Sequence, residues 1–189
     1  MIGMSDDAQF KWENQKKTNT WDQKRLHRQA LEELFDGNAR YMNFIKKNLG
    51  ENLVKDGFQA TVDFTYEQNM NALTRFFLKL LKPLAKKFLL KTIVTTYYTK
   101  MQHVVDESCL KKLDIKPDGS IEIVVEKCTG KTVWKNGLRN NAAVDVFGAE
   151  DYCQYSCIPS LNKLIGVVNA QCTAEFEKRG CHQLIKFSA

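Results

Sequence analysis

Six cysteines are the residues whose type and grouping could do chemistry: Cys109, Cys128, Cys153, Cys157, Cys172 and Cys181, with His182 beside the last. All fall in the second half of the chain. A thiolate is both a nucleophile and a soft metal ligand, so a grouped set bears on catalysis and on metal binding. Cys153 and Cys157 form a Cys-x-x-x-Cys pair, a spacing that puts both sulfurs on one face of an α-helix. No Cys-x-x-Cys pair of the zinc-ribbon kind and no haem-attachment motif is present. The plainer expectation for any one of these cysteines is a small buried hydrophobe.

Glu150 and Asp151 precede the pair. Acids are favoured at a helix N-terminus, which accounts for them structurally; a general-base role for Glu150 is the functional alternative. His27 lies among Lys24, Arg25 and Arg28, and His103 has no surrounding motif. His182 is therefore the candidate histidine. Neighbouring residues on a strand point to opposite faces, however, so His182 and Cys181 are not expected to serve one site.

The elements that must position these groups divide the chain in two. In the first half, Leu31, Leu34, Phe35, Met42, Ile45 and Leu49 follow helical spacing from Trp21 to Leu49, with Gly50 as the stop. A second helix is predicted over Leu53 to Lys82 and ends or kinks at Pro83. A third runs from Leu84 to Val104, although the β-branched and aromatic run Thr92 to Tyr98 also suits a strand. After Asp106 the pattern changes. Ser108 to Ile115 and Ile121 to Lys127 flank the turn Lys116-Pro117-Asp118-Gly119-Ser120, with Ile121, Ile123 and Val125 on one face. Thr129 caps a short helix that Gly137 ends, and another helix spans Ala149 to Leu164 with a break at Pro159. Cys172 to Glu177 and Cys181 to Phe187 close the chain as a hairpin around Lys178-Arg179-Gly180. The expected fold is α+β, a helical N-terminal half packed on a C-terminal antiparallel sheet built from hairpins with short helices.

With 189 residues, 43% of them hydrophobic and 26% charged, the chain has the make-up of one globular domain. It can bury roughly two-thirds of its unfolded surface without help from a disulfide or metal. Residues 1–20 read as a flexible arm and 21–189 as the domain, helical over 21–105 and cysteine-bearing over 106–189. The N-terminus lacks a basic segment followed by an apolar run, and no apolar stretch approaches the length of about 20 residues needed to span a bilayer. A cytoplasmic location is the expectation, and with it cysteines held as thiols or ligands rather than disulfides.

The net charge of +6 has one source. From Gln68 to Val105 there is no acid, and Arg75, Lys79, Lys82, Lys86, Lys87, Lys91 and Lys100 all fall inside. The first expectation is a solvated cationic face over a core-facing apolar stripe of Leu73, Phe76, Phe77, Leu80, Leu81, Leu84 and Phe88. The others are an anionic membrane surface or a protein partner for residues 68–105. No nucleic-acid partner is expected, because no stacking module, zinc finger or helix-turn-helix is seen. The absence of a Gly-rich phosphate loop argues against nucleotide chemistry.

The C-terminal block carries a resemblance. It runs Val-Glu-Lys-Cys128-Thr129, Trp134-Lys-Asn-Gly137-Leu138, Gly148-Ala-Glu-Asp-Tyr-Cys153-Gln-Tyr-Ser-Cys157-Ile-Pro159 and Glu177-Lys-Arg-Gly180-Cys181-His182-Gln-Leu-Ile-Lys-Phe187. Over about the last 65 residues this resembles the L-2-amino-thiazoline-4-carboxylic acid hydrolase family. It departs in placing Thr129 after Cys128 and Cys181 after Gly180. The resemblance implies hydrolytic opening of a small ring that contains a C=N bond, and a small-molecule ligand. Such chemistry needs a nucleophile or activated water and a donor for the ring nitrogen. Cys153 is then the first candidate nucleophile and Cys128 the second, with Cys157, Glu150 and His182 in support. A similar terminal hairpin occurs in small-molecule-sensing domains of the vinyl-reductase type. The alternative is accordingly a non-catalytic sensor or accessory subunit, in which Cys128, Cys153, Cys157 and Cys181 could hold zinc or an iron–sulfur cluster.

Overall fold

The computed structural model describes residues 23–101, 105, 109–143 and 147–188. The arm expected over residues 1–20 and His103 lie outside them. The helical half consists of α1 (Gln23–Leu49), α2 (Glu51–Asn69) and α3 (Ala72–Lys100). The second half holds β1 (Leu110–Ile115), β2 (Ile121–Val125), α4 (Thr129–Asn140), a π-turn at Cys153–Cys157, α5 (Ile158–Ile165), β3 (Ala170–Phe176) and β4 (Cys181–Phe187). The four strands form one antiparallel sheet in the order β1-β2-β4-β3. The α+β architecture read from the sequence is the one observed.

Both hairpins close where turn chemistry places them. Lys116 N donates to Ser120 O at 2.9 Å, and Asp118 accepts from the Ser120 amide and hydroxyl. Ile121, Ile123 and Val125 on β2 and Cys181, Gln183 and Ile185 on β4 face the core. The β3–β4 turn packs hard on β2: a β-carbon on Gly180 would lie 1.7 Å from the Val125 carbonyl oxygen. Only glycine fits there.

The helices depart from expectation at Asn71 and at Gly137, while the kink at Pro83 and the helix through Thr92 to Tyr98 are as read. The break between the second and third helices is at Met70–Asn71, not Pro83, because the Asn71 side chain caps α3 by accepting from Thr74 N at 2.8 Å. Pro83 lies within α3 and bends it, with Ala85 forced to φ −136° and ψ 31°. The bend doubles the helix back. A straight helix of this length would span about 43 Å, yet Lys100 Nζ donates to Asn69 Oδ1 at 2.6 Å. The run Thr92 to Tyr98 is helix throughout. Gly137 does not end α4; the helix runs through it to Asn140, and the missing side chain lets α4 press on α1, where a β-carbon would lie 3.0 Å from Phe35 O. Asn141 completes that junction, its amide donating to Asp36 O at 3.2 Å and Asp36 Oδ1 at 3.0 Å.

The core joins both halves. Trp134 on α4 is fully buried, stacked edge-on to Phe58 of α2 and to Phe147, and its Nε1 donates to Gly148 O at 3.1 Å. From the second arm of α3, Leu90, Ile93, Val94, Tyr97 and Tyr98 enter the same core. The apolar stripe expected to face inward does not. Phe76, Phe77, Leu80, Leu81, Leu84 and Phe88 are exposed, because the bend turns the first arm outward and the second arm supplies the buried face.

Candidate functional site

Cys128 is the N-cap of α4. Its sulfur accepts from Lys131 N at 3.4 Å, in the place an Asx or Ser oxygen usually takes. Its own amide donates to Arg179 O at 2.8 Å, so the β3–β4 turn holds it from the other side. The second thiol of the site comes from the segment before α5. There the chain widens into a π-turn in which Ile158 N reaches back to Cys153 O. Such turns are single-residue expansions of a helix and gather at functional sites. This one changes the expected geometry of the Cys-x-x-x-Cys pair, since the facing of i and i+4 positions belongs to the α-helix. It also removes the predicted break, for Pro159 lies in the first turn of α5, where its missing N–H costs least.

Cys128, Cys153, Cys157 and Cys181 line one cavity together with Tyr97, Tyr98 and Gln183. Its volume is about 20 Å³, room for one water. Cys128 and Cys153 are neighbouring thiols in this cavity, and the influence of Cys153 is the first cause that holds Cys128 below the ordinary thiol range; the amides of Lys131 and Gly130 and the Lys131 charge add to it against the cost of burial. The neighbouring Cys128, together with burial, pushes Cys153 far up. Burial raises Cys157 and Cys172 to about 12 and moves Cys181 upward. Among these five free thiols Cys128 alone is shifted towards the thiolate. Of the two candidate nucleophiles, Cys153 and Cys128, it is Cys128 whose thiol is held down and Cys153 whose thiol is pushed up.

Polar groups brace the cavity. Tyr97 OH donates to Cys157 O at 3.1 Å and lies 3.5 Å from its sulfur. Tyr98 OH donates to Gln183 Oε1 at 2.7 Å, and Gln183 Nε2 donates to Cys181 Sγ at 3.2 Å. Cys172 Sγ reaches the same Gln183 oxygen at 3.8 Å. Gln183 shows its nature in the sequence, as a polar residue on the core-facing alternation of β4. Lys131 does not. Its side chain is 5% exposed, paired with Glu150 at 3.3 Å, bonded to the Glu177 carbonyl and facing the Phe176 ring. A cation in the first turn of a helix opposes the macrodipole, and here it stands on the thiolate side of Cys128.

Two predicted residues stand elsewhere. Glu150 is half-exposed and reaches the site only through Lys131. His182 faces away from the cavity, as strand alternation requires, and pairs with Glu122 at 2.9 Å on the outer face, where Lys112 and Lys116 join it. It takes no part in the thiol cluster. Nor do the four candidate metal cysteines converge as ligands: among the described residues no three His, Cys, Asp or Glu side chains are grouped to hold a metal ion.

A second pocket of about 170 Å³ opens between the two arms of α3, lined by Met70, Thr74, Leu78, Ile93, Thr96, Tyr97 and Leu164 among others. Tyr97 belongs to both walls. It is the side chain common to the mostly apolar pocket and the thiol cavity.

No protein-family model, curated protein or solved structure matches this chain.

Proposed function

We propose that the protein is hydrolase-like and opens a cyclic C–N bond of a small molecule, with Cys128 as nucleophile and Cys153 as proton donor. The observation that carries this reading is the thiol pair: a cysteine at a helix N-terminus, shifted towards the thiolate by a neighbouring thiol and by Lys131. Thiolates so placed are the reactive ones. A ring with a C=N bond takes the sulfur at carbon and the Cys153 proton at nitrogen. Water then displaces the sulfur at that carbon, returning a thiol. Collapse of the resulting hydroxyl carbon to a carbonyl breaks the ring C–N bond, and the amine leaves with the hydroxyl proton. The pocket beyond Tyr97 has the size that holds a single six-membered ring, since a cavity of about 150 Å³ binds benzene. The resemblance of the C-terminal block to the aminothiazoline carboxylate hydrolases points to the same substrate class.

A second reading is a sensor or accessory module that binds a small molecule without turnover. The small thiol cavity favours it, because about 20 Å³ admits a water and not a ring. One experiment separates the two. Amine release from a panel of thiazoline and cyclic amidine carboxylates is followed for the native chain, Cys128→Ser and Cys153→Ala. The hydrolase reading expects turnover that Cys128→Ser abolishes and Cys153→Ala lowers at least about a hundredfold, the scale of one lost proton donor. Undiminished turnover in Cys128→Ser sinks it, and saturable binding with no turnover leaves the sensor.

A further inference from the structure

The bend of α3 carries an apolar surface that is left exposed among the described residues. Phe76, Phe77, Leu80 and Leu81 are exposed on its first arm, and Leu84 and Phe88 carry the patch around the bend, Leu84 with 86% exposure. Single exposed leucines are ordinary, but six large hydrophobes on successive turns mark a docking surface.

The surroundings of the patch say what it docks on. The segment from Gln68 to Val105 holds seven lysines and arginines and no acid. Three of the lysines fasten the bend to the end of the sheet: Lys82 to Asn169 Oδ1 at 2.7 Å, Lys87 to Pro117 O at 2.8 Å, and Lys86 over the Phe187 ring at 4.4 Å. The apolar face is thereby held outward. Arg75 and Lys91 flank it, both exposed. Asp118, next to the Pro117 carbonyl that Lys87 reaches, is engaged by Ser120. A second copy of the chain would bring the same cations face to face, and a polyanion alone would leave the phenylalanines uncovered. An anionic bilayer answers both halves, taking Phe and Leu into the acyl boundary and Lys and Arg among the head groups. No helix among the described residues is long and apolar enough to cross a membrane, so the contact is one of lying in the interface.

We propose that the α3 bend is a membrane-docking surface that inserts Leu84 and Phe88 at the surface of an anionic lipid bilayer. The full chain is sedimented with vesicles of phosphatidylcholine, with and without phosphatidylserine, at low and high salt. It pellets with the phosphatidylserine vesicles at low salt and is released at high salt. Leu84→Asp and Phe88→Asp lose the binding while their circular dichroism stays native, both side chains being exposed. Lys91→Gln weakens binding about fivefold, the worth of one charge at such a surface. Absence of pelleting at low salt, equal pelleting with phosphatidylcholine alone, or undiminished pelleting of Leu84→Asp overturns the proposal. So does a dimer in solution that Leu84→Asp dissociates, which would assign the patch to a second copy.

Discussion

The hydroxyl of Tyr98 donates to Oε1 of Gln183 at 2.7 Å, and this buried bond ties the second arm of α3 to the centre of the sheet. The same side-chain amide holds the sulfurs of Cys181 and Cys172. The packing of helix on sheet and the arrangement of the thiols therefore share one residue.

Replacing that residue by an apolar one exposes the dependence. Gln183→Leu strands the Tyr98 hydroxyl in the core and costs about 1–3 kcal/mol. Tyr98→Phe in addition removes the stranded group, so the double variant recovers part of the loss. Urea unfolding of the four proteins measures the coupling; strictly additive losses would show that the bond contributes nothing of its own.

The thiol pair has a signature in pH. The alkylation rate of Cys128, read by peptide mass spectrometry, rises through a midpoint below the ordinary cysteine value of about 8.5. Because the influence of Cys153 is the leading cause, Cys153→Ala moves the midpoint upward and Cys153→Ser, which keeps a donor, moves it less. Coincident profiles for native protein and Cys153→Ala would dissolve the pair.

Gly180→Ala forces a β-carbon onto the Val125 carbonyl. The turn must lift, and with it the Arg179 carbonyl that holds the Cys128 amide. The expected cost is at least about 1–3 kcal/mol, as for other overpacked sites, together with a Cys128 profile nearer that of an ordinary thiol. An unchanged urea midpoint would show that the turn yields freely.

On the outer face of the sheet, Lys112 first and His182 second hold the Glu122 carboxyl down to about 2. A carboxyl lowered in the folded state stabilises it above the unfolded value, and the contribution is lost as pH falls through the folded value. Glu122→Gln is thus expected to be less stable than the native chain at neutral pH. The gap should narrow from pH 4.5, the ordinary glutamate value, and vanish near 2. Thermal unfolding at several pH values follows it; a gap that persists at the acid end would assign the effect to packing.

The hairpins were legible in the sequence because alternation and turn residues agree there. Ile121, Ile123 and Val125 name a face, and Pro117-Asp118-Gly119 names the reversal. His182 was placed correctly, away from Cys181, by the same alternation. The helices were less legible. Periodicity finds a stripe but not what covers it, and the longest stripe, Phe76 to Phe88, lost the core to Leu90, Val94 and Tyr97 across the bend. Pro83 is the stronger helix breaker by residue type, but the Asn-x-x-Thr spacing at Asn71 is what starts α3. Lys131 was illegible for another reason. Its partners Glu150 and Glu177 lie 19 and 46 positions away, and only the finished fold turns a lysine in a helix's first turn into a buried charge beside a thiol.

The π-turn at Cys153–Cys157 sets a tolerance on chain length. It carries one residue more than an α-helix would use, so deleting Gln154 lets the segment relax to ordinary helix with every hydrogen bond remade. Such a chain could fold with its stability nearly intact, yet Cys153 would be rotated by about 100°, one residue's step of an α-helix, relative to α5. Stability and thiol alignment are separable in this segment, and a deletion can remove one while sparing the other.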